Sequence, residues 1–183
     1  MENKNKVFIA ASLDGYIADK NGGIEWLHSV PNPDNLDLGY NNFISQIDAI
    51  VMGRVTFETV CGFDVDWPYT VPVFILSNSM NEVPEDYNEK AYHVNGSLSE
   101  VLNQIHQKGY YRLYIDGGTT IQNFLKEDLI DDMIITTIPI LLGGGFPLFS
   151  EMQHVLDFEL TDSKVYLKDT VQNHFRRNRQ VKG

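Results

Sequence analysis

Asp48-Ala49-Ile50-Val51-Met52-Gly53-Arg54-Val55-Thr56-Phe57-Glu58 changes character at one glycine. The apolar run before Gly53 reads as a strand, and a helix opens after it with Arg54 and Thr56 in its first turn. That order suits an anion. The first amides of a helix have no intrahelical partner, and the macrodipole places about half a positive charge there. A glycine lets a phosphate come close to the backbone, a guanidinium grips it bidentately, and a threonine hydroxyl adds a donor. The same plan recurs at Leu113-Tyr114-Ile115-Asp116, which breaks at Gly117-Gly118 and enters a helix through Thr119-Thr120-Ile121. Either junction alone could be a structural turn. Together they point to a ligand with more than one phosphate, such as a dinucleotide.

The 183 residues form one expected domain, 43% hydrophobic and 21% charged, as in ordinary globular proteins. Order is expected everywhere except the first five residues and the last few. The formal charge of −11 argues against nucleic-acid partners, which need a basic field. The basic run Arg176-Arg177-Asn178-Arg179 reads as a solvated strand end or tail, and Arg54 gains weight as one of few cations near an anion site. Cys61 is the only cysteine, so no intramolecular disulfide can form and a reducing compartment is expected. Its apolar helical setting suggests a buried structural thiol. No apolar run approaches the ~20 residues of a membrane span, and no signal-peptide core follows the start. The expectation is a cytoplasmic protein without membrane partners.

Strands are expected at 7–13, 49–52, 71–76, 91–94, 111–115 and 132–138, with a hairpin from 158–167 and 171–177. Helices are expected from 34–37 onward (apolar face Leu38, Phe43, Ile44, Ile47) and at 54–60, 97–108 and 119–126. Ser97 and Glu100 stand at capping-box spacing, and Gly109 ends that helix. The acidic stretch 82–89 reads as a solvated loop. This order implies a mainly parallel sheet flanked by helices, with an antiparallel C-terminal end. In such sheets ligands sit outside the carboxyl ends of the strands, where Asp14, Gly53, Ser77 and Gly117 fall.

Four motifs in order carry a family resemblance: Ala11-Ser12-Leu13-Asp14-Gly15-Tyr16-Ile17-Ala18, the Asp48–Glu58 junction, Ile115-Asp116-Gly117-Gly118-Thr119-Thr120-Ile121, and Pro139-Ile140-Leu141-Leu142-Gly143-Gly144-Gly145. The chain resembles the dihydrofolate reductase superfamily. Within it, the nearer branch is the reductase domain of the bifunctional riboflavin-biosynthesis deaminase/reductase. The resemblance implies a three-layer α/β/α fold and an NADPH-dependent oxidoreductase. It places Gly53, Arg54 and Thr56 at the adenosine-side phosphates, and Ser77, Asn78 and Ser79 at the 2′-phosphate. Gly117, Gly118, Thr119, Thr120 and Ile121 fall under the pyrophosphate, and Ile17 and Ala18 in the loop covering nicotinamide.

Asp14 and Asp37 are the candidate catalytic carboxylates. Asp14 lies in the Ser-Leu-Asp-Gly motif and is otherwise a turn residue. The spacing of Asp37 before Met52 matches the carboxylate that anchors the pteridine in dihydrofolate reductases; otherwise it caps a helix. Trp26, Leu27 and Phe43 could wall a flat heteroaromatic substrate or simply fill the core. Gly143-Gly144-Gly145 is open between a backbone approach to nicotinamide and a flexible crossover. The resemblance implies a pyrimidine- or pterin-like substrate, foremost 5-amino-6-(5-phosphoribosylamino)uracil. The segment Asn41-Asn42-Phe43-Ile44-Ser45-Gln46-Ile47, however, lacks the His and Arg usual in that branch. True dihydrofolate reductase and a non-catalytic NADPH-binding protein are the alternatives. The five scattered His suggest no metal, and a homodimer through the C-terminal strands is a further expectation.

Overall fold

The computed structural model describes residues 3–179. Along the chain come β1 (Lys4–Ser12), β2 (Tyr16–Ala18), a 3-10 turn at Glu25–Ser29, α1 (Tyr40–Ile44), β3 (Ala49–Gly53), α2 (Arg54–Cys61) and β4 (Val73–Leu76). A 3-10 turn at Glu85–Tyr87 precedes β5 (Ala91–Val94), α3 (Leu98–Gln107), β6 (Arg112–Asp116), α4 (Gly118–Lys126), β7 (Asp132–Ile138), β8 (Phe146–Pro147), β9 (Phe158–Tyr166) and β10 (Thr170–Arg177). Eight strands form one sheet in the order β5-β4-β3-β6-β1-β7-β10-β9, and β2 pairs with β8 in a separate ribbon. The six strands from β5 to β7 are parallel, while β10 and β9 close the sheet antiparallel. This is a dihydrofolate reductase-like α/β architecture.

The unbroken apolar runs follow from burial of both sheet faces, since successive strand side chains point opposite ways. Ala49 and Val51 of β3 join Leu113 and Ile115 of β6 on one face, under Val101 and Ile105 of α3 and Ile121 and Phe124 of α4. Ile50 and Met52 join Tyr114 on the other, under Phe43 of α1 and Phe57 of α2. Full burial of each large apolar side chain contributes about 1.5–3 kcal/mol before entropy is counted. The Ser97 capping box starts α3: Ser97 Oγ accepts from the Glu100 amide, and Glu100 accepts from the Ser97 amide at 2.8 Å.

Chain direction creates the functional crevice. From β3 the chain crosses through α2 to β4 on one side, whereas from β6 it crosses through α4 to β7 on the other, past β1. α2 and α4 therefore lie on opposite faces, and a gap opens between the carboxyl ends of β3 and β6.

Several expectations change. α1 starts at Tyr40 rather than at 34–37, because Asn35, Leu38 and Gly39 hold positive φ (48°, 50° and 88°) and a helix cannot pass through them. Lys4 and Asn5 are ordered in β1; the expectation for residues 1–2 and 180–183 lies outside the described residues. The β2–β8 ribbon was not expected. The basic run is a clasp rather than a solvated end: Arg177 grips Asp128 at 2.6 and 3.0 Å, Arg179 pairs with Asp131, and Arg176 with Asp132 at 3.3 Å. Cys61 is partly exposed instead of buried, and desolvation pushes its thiol pKa up. Among the described residues no helix is long and apolar enough to cross a membrane, and no three His, Cys, Asp or Glu side chains cluster as metal ligands.

Candidate active site

Gly53 and Gly117 precede the first residues of α2 and α4, and each makes room for a threonine of the other helix. A Cβ on Gly117 would lie 2.2 Å from Thr56 Oγ1, and one on Gly53 would lie 3.1 Å from Thr120 Oγ1. Gly117 also holds φ +86° and ψ 137°, a region that essentially only glycine occupies. The two helix starts, with their unpaired amides, are thus set side by side on a cavity of about 970 Å³. That is the upper range for small-molecule and cofactor sites.

Eleven of the expected cofactor residues line this cavity: Ile17, Ala18, Gly53, Arg54, Thr56, Ser77, Asn78, Gly117, Gly118, Thr119 and Thr120. Two do not. Ile121 is fully buried in the core beneath α4, because its helical phase turns it to the sheet, and its amide donates to the Gly117 carbonyl at 2.9 Å. Ser79 shapes the turn after β4, its amide donating to Ser77 Oγ at 3.2 Å. Arg54 pairs with Glu58 one turn along α2 at 2.7 Å, both side chains being about half exposed (42% and 52%). Such a pair is weak and leaves the guanidinium available.

Neither expected catalytic carboxylate lines the cavity. Asp14 accepts from Ser12 Oγ at 2.6 Å and from the amides of Leu142 and Gly143 at 3.1 and 2.8 Å. The Ser12 hydroxyl and these amides hold its pKa below the usual carboxylate value. It anchors the glycine loop, which is no loose crossover: a Cβ on Gly145 would meet the Ala18 carbonyl oxygen at 2.1 Å. Asp37 accepts from the amides of Asn41 and Gly39 at 2.8 and 3.1 Å, which lower its pKa and make it the lead-in to α1. Of the expected aromatic and aliphatic walls, Leu27 lines the cavity, whereas Trp26 and Phe43 are buried and do not line it.

Two acidic residues do line the cavity, Glu127 just beyond α4 and Asp116, the last residue of β6. Oδ1 accepts from the Gly117 amide at 2.8 Å. Desolvation nevertheless raises the pKa of Asp116, moving it toward the neutral acid. Three phenols surround it. Burial, and then the charge of Asp116, raise Tyr40 to about 12 and push Tyr69 and Tyr114 up as well. The Tyr114 hydroxyl donates to the Phe8 carbonyl at 2.9 Å, and Tyr69 lines the cavity with Val60 and Phe63. Sequence reasoning passed over Asp116 as the end of a strand. Its signal was a charged residue closing an apolar run directly before two glycines.

A family model described as the RibD C-terminal domain matches residues 6–172. The chain belongs to that family. Among solved structures it is similar to a candidate riboflavin biosynthesis protein of Shewanella sp. PV-4, with 55% identity and a TM-score of 0.94, covering 96% of this chain and 99% of that one. The fold is shared with the diaminohydroxyphosphoribosylaminopyrimidine deaminase/5-amino-6-(5-phosphoribosylamino)uracil reductase of Thermotoga maritima (16% identity, TM-score 0.74, covering 97% of this chain and 57% of that one). It is also shared with a dihydrofolate reductase of Enterococcus faecalis solved with NADP(H) (17% identity, TM-score 0.63, covering 96% of each chain).

Proposed function

We propose that this member of the RibD C-terminal domain family is an NADPH-dependent reductase acting on a pyrimidine- or pterin-like heterocycle. The reading rests on one observation: two helix starts meet at the topological switch point, where Gly117 leaves no room for a side chain and Gly53 little. That cradle fits a pyrophosphate. The first-turn amides of α2 and α4 with Thr56 and Thr120 would hold it, and Arg54, Ser77 and Asn78 would meet the 2′-phosphate. Ile17 and Ala18 would cover the nicotinamide, which when bound supplies hydride.

The chain's own contribution is placement, exclusion of water and supply of a proton. β2 and β8 form the cover, tied down by the Gln122 side chain, whose amide donates to the Pro147 carbonyl at 2.7 Å. Asp116 holds a proton on its Oδ atoms more tightly than an exposed aspartate and sits where a substrate heteroatom would receive it. Asp37 accepts two backbone amides ahead of α1 and does not line the cavity, which favours the uracil reading over the dihydrofolate alternative.

The test is NADPH binding by fluorescence, followed by NADPH oxidation at its near-ultraviolet absorbance. The first substrates are 5-amino-6-(5-phosphoribosylamino)uracil, its dephosphorylated form and dihydrofolate. Binding with turnover of a uracil supports the reading. Failure to bind NADPH overturns it, and tight binding without turnover of any of the three favours the non-catalytic alternative.

A further inference from the structure

We infer that the heterocycle reduced in this cavity carries no phosphate. The inference rests on the reductase reading above and concerns the substrate end of the same site. The Thermotoga maritima protein that shares the fold is named for a phosphoribosyl substrate, so a phosphate ester is the natural comparison.

Charge decides the matter. The charged residues lining the cavity, among those described, are Arg54, Asp116, Lys126 and Glu127. The two cations share the lining with Glu127 and the buried Asp116 carboxyl, and Arg54 already faces Glu58. A 2′-phosphate alone brings a charge of about −1.5 to −2, and a pyrophosphate adds to it. On the reading above the cofactor phosphates would engage Arg54, and Lys126 stands at the far end of α4 next to Glu127, so neither cation is placed for a second phosphate. Placement gives the same answer. Arg54 begins α2 and Lys126 ends α4, whereas Val60 and Phe63 lie at and beyond the far end of α2. Six residues of helix separate Arg54 from Val60, about 9 Å along the axis.

The wall away from the helix starts is apolar and aromatic. Val60, Phe63 and Tyr69 come from the α2 side, Leu27 from the 3-10 turn, Ile24 from the residue before that turn, and Ile9 from β1. Its polar group of fixed position is the carboxyl of Asp116. Lys20 lies along Gly144, where a Cβ would touch its Cε at 2.6 Å, and does not line the cavity. A phosphate here would be desolvated against apolar side chains and brought toward a carboxyl, with no cation in compensation. A flat neutral ring fits instead, its faces on the apolar walls and one polar edge toward Asp116 and the Tyr69 hydroxyl.

The experiment compares 5-amino-6-(ribosylamino)uracil with its 5′-phosphate on the whole protein saturated with NADP+, by titration calorimetry, and repeats the pair as substrates with NADPH. The phosphate-free compound is expected to bind more tightly by about tenfold or more, with kcat/KM following in the same sense. Equal or tighter binding of the phosphate ester overturns the inference, and so does failure of the phosphate-free compound to bind. Phe63→Arg places a guanidinium on the apolar wall and should shift the preference toward the ester; an unmoved ratio removes that wall from the substrate end. Failure to bind NADPH in a prior titration would instead strike the reductase reading, so the two failures are distinct.

Discussion

Gly117→Ala tests the central claim that the two helix starts are locked against each other. The added methyl would sit 2.2 Å from Thr56 Oγ1 and 3.3 Å from its Cβ, where ordinary contact begins near 3.4 Å. Thr56 must turn its hydroxyl away from the cavity, at about 0.5–1.5 kcal/mol if it leaves its rotamer well. Alanine at φ +86° and ψ 137° adds about 1–3 kcal/mol of backbone strain. The total is about 1.5–4.5 kcal/mol, which for a chain of this size lowers the melting temperature by about 3–18 °C. Calorimetry or circular dichroism reads that loss, and NADPH fluorescence titration reads the accompanying fall in affinity. Gly117→Ala with Thr56→Ala should recover the rotamer part of the stability and none of the backbone part. Wild-type melting and wild-type NADPH affinity in the single variant would refute the reasoning. Identical losses in the single and double variants would show that Thr56 is not the obstacle.

Asp116→Asn should lower turnover by about 10²–10⁴, the usual range for a proton donor, while cofactor binding persists; near-normal kcat would remove Asp116 from the chemistry. Because its folded pKa is raised, wild type keeps the full contribution of this group below the reference value of 3.8 and loses it as pH rises through the raised value. Melting curves from pH 4 to 8 should therefore show the Asn variant gaining on wild type as pH increases. Arg54→Gln should weaken NADPH more than NADH, by about tenfold or less, since the guanidinium is 42% exposed and shared with Glu58; equal losses for both cofactors would place it away from the 2′-phosphate. Asp14→Ala should speed hydrogen exchange at the Leu142 and Gly143 amides without the kcat loss of Asp116→Asn. If turnover instead collapses at saturating cofactor, Asp14 belongs to the chemistry.

The strand–glycine–helix junctions were legible because glycine punctuates an apolar run and a first turn follows immediately, so both helix starts could be named and eleven of the thirteen expected cofactor residues line the cavity. What the sequence hid depends on neighbours distant along the chain. Asp116 reaches the cavity because β6 lies between β3 and β1 and because its parity matches Tyr114, facts of sheet order rather than of local pattern. Asp14 and Asp37 stand out in local sequence, yet backbone amides claim both: Asp14 is met by Leu142 and Gly143, 128 and 129 residues later. Ile121 was grouped with the threonines before it, although helical phase turns it inward. The late start of α1 follows from positive φ at Asn35 and Leu38, residue types that do not announce it.

Sheet order also governs how the chain acquires its structure. β1 lies between β6 and β7, parallel to both, although it precedes every other element in sequence. Its register partners begin at Arg112 and Asp132, so Val7 to Ala11 have no lateral strand until more than a hundred further residues are available. Closing such long loops makes folding slow and leaves an apolar segment open to wrong pairing meanwhile. β3, β4 and β5 can assemble among themselves beforehand, as sequential neighbours. Threading of β1 between β6 and β7 is then a late step, and the wall of the cavity formed by Ile9 and Ala10 is among the last parts of the site to be completed.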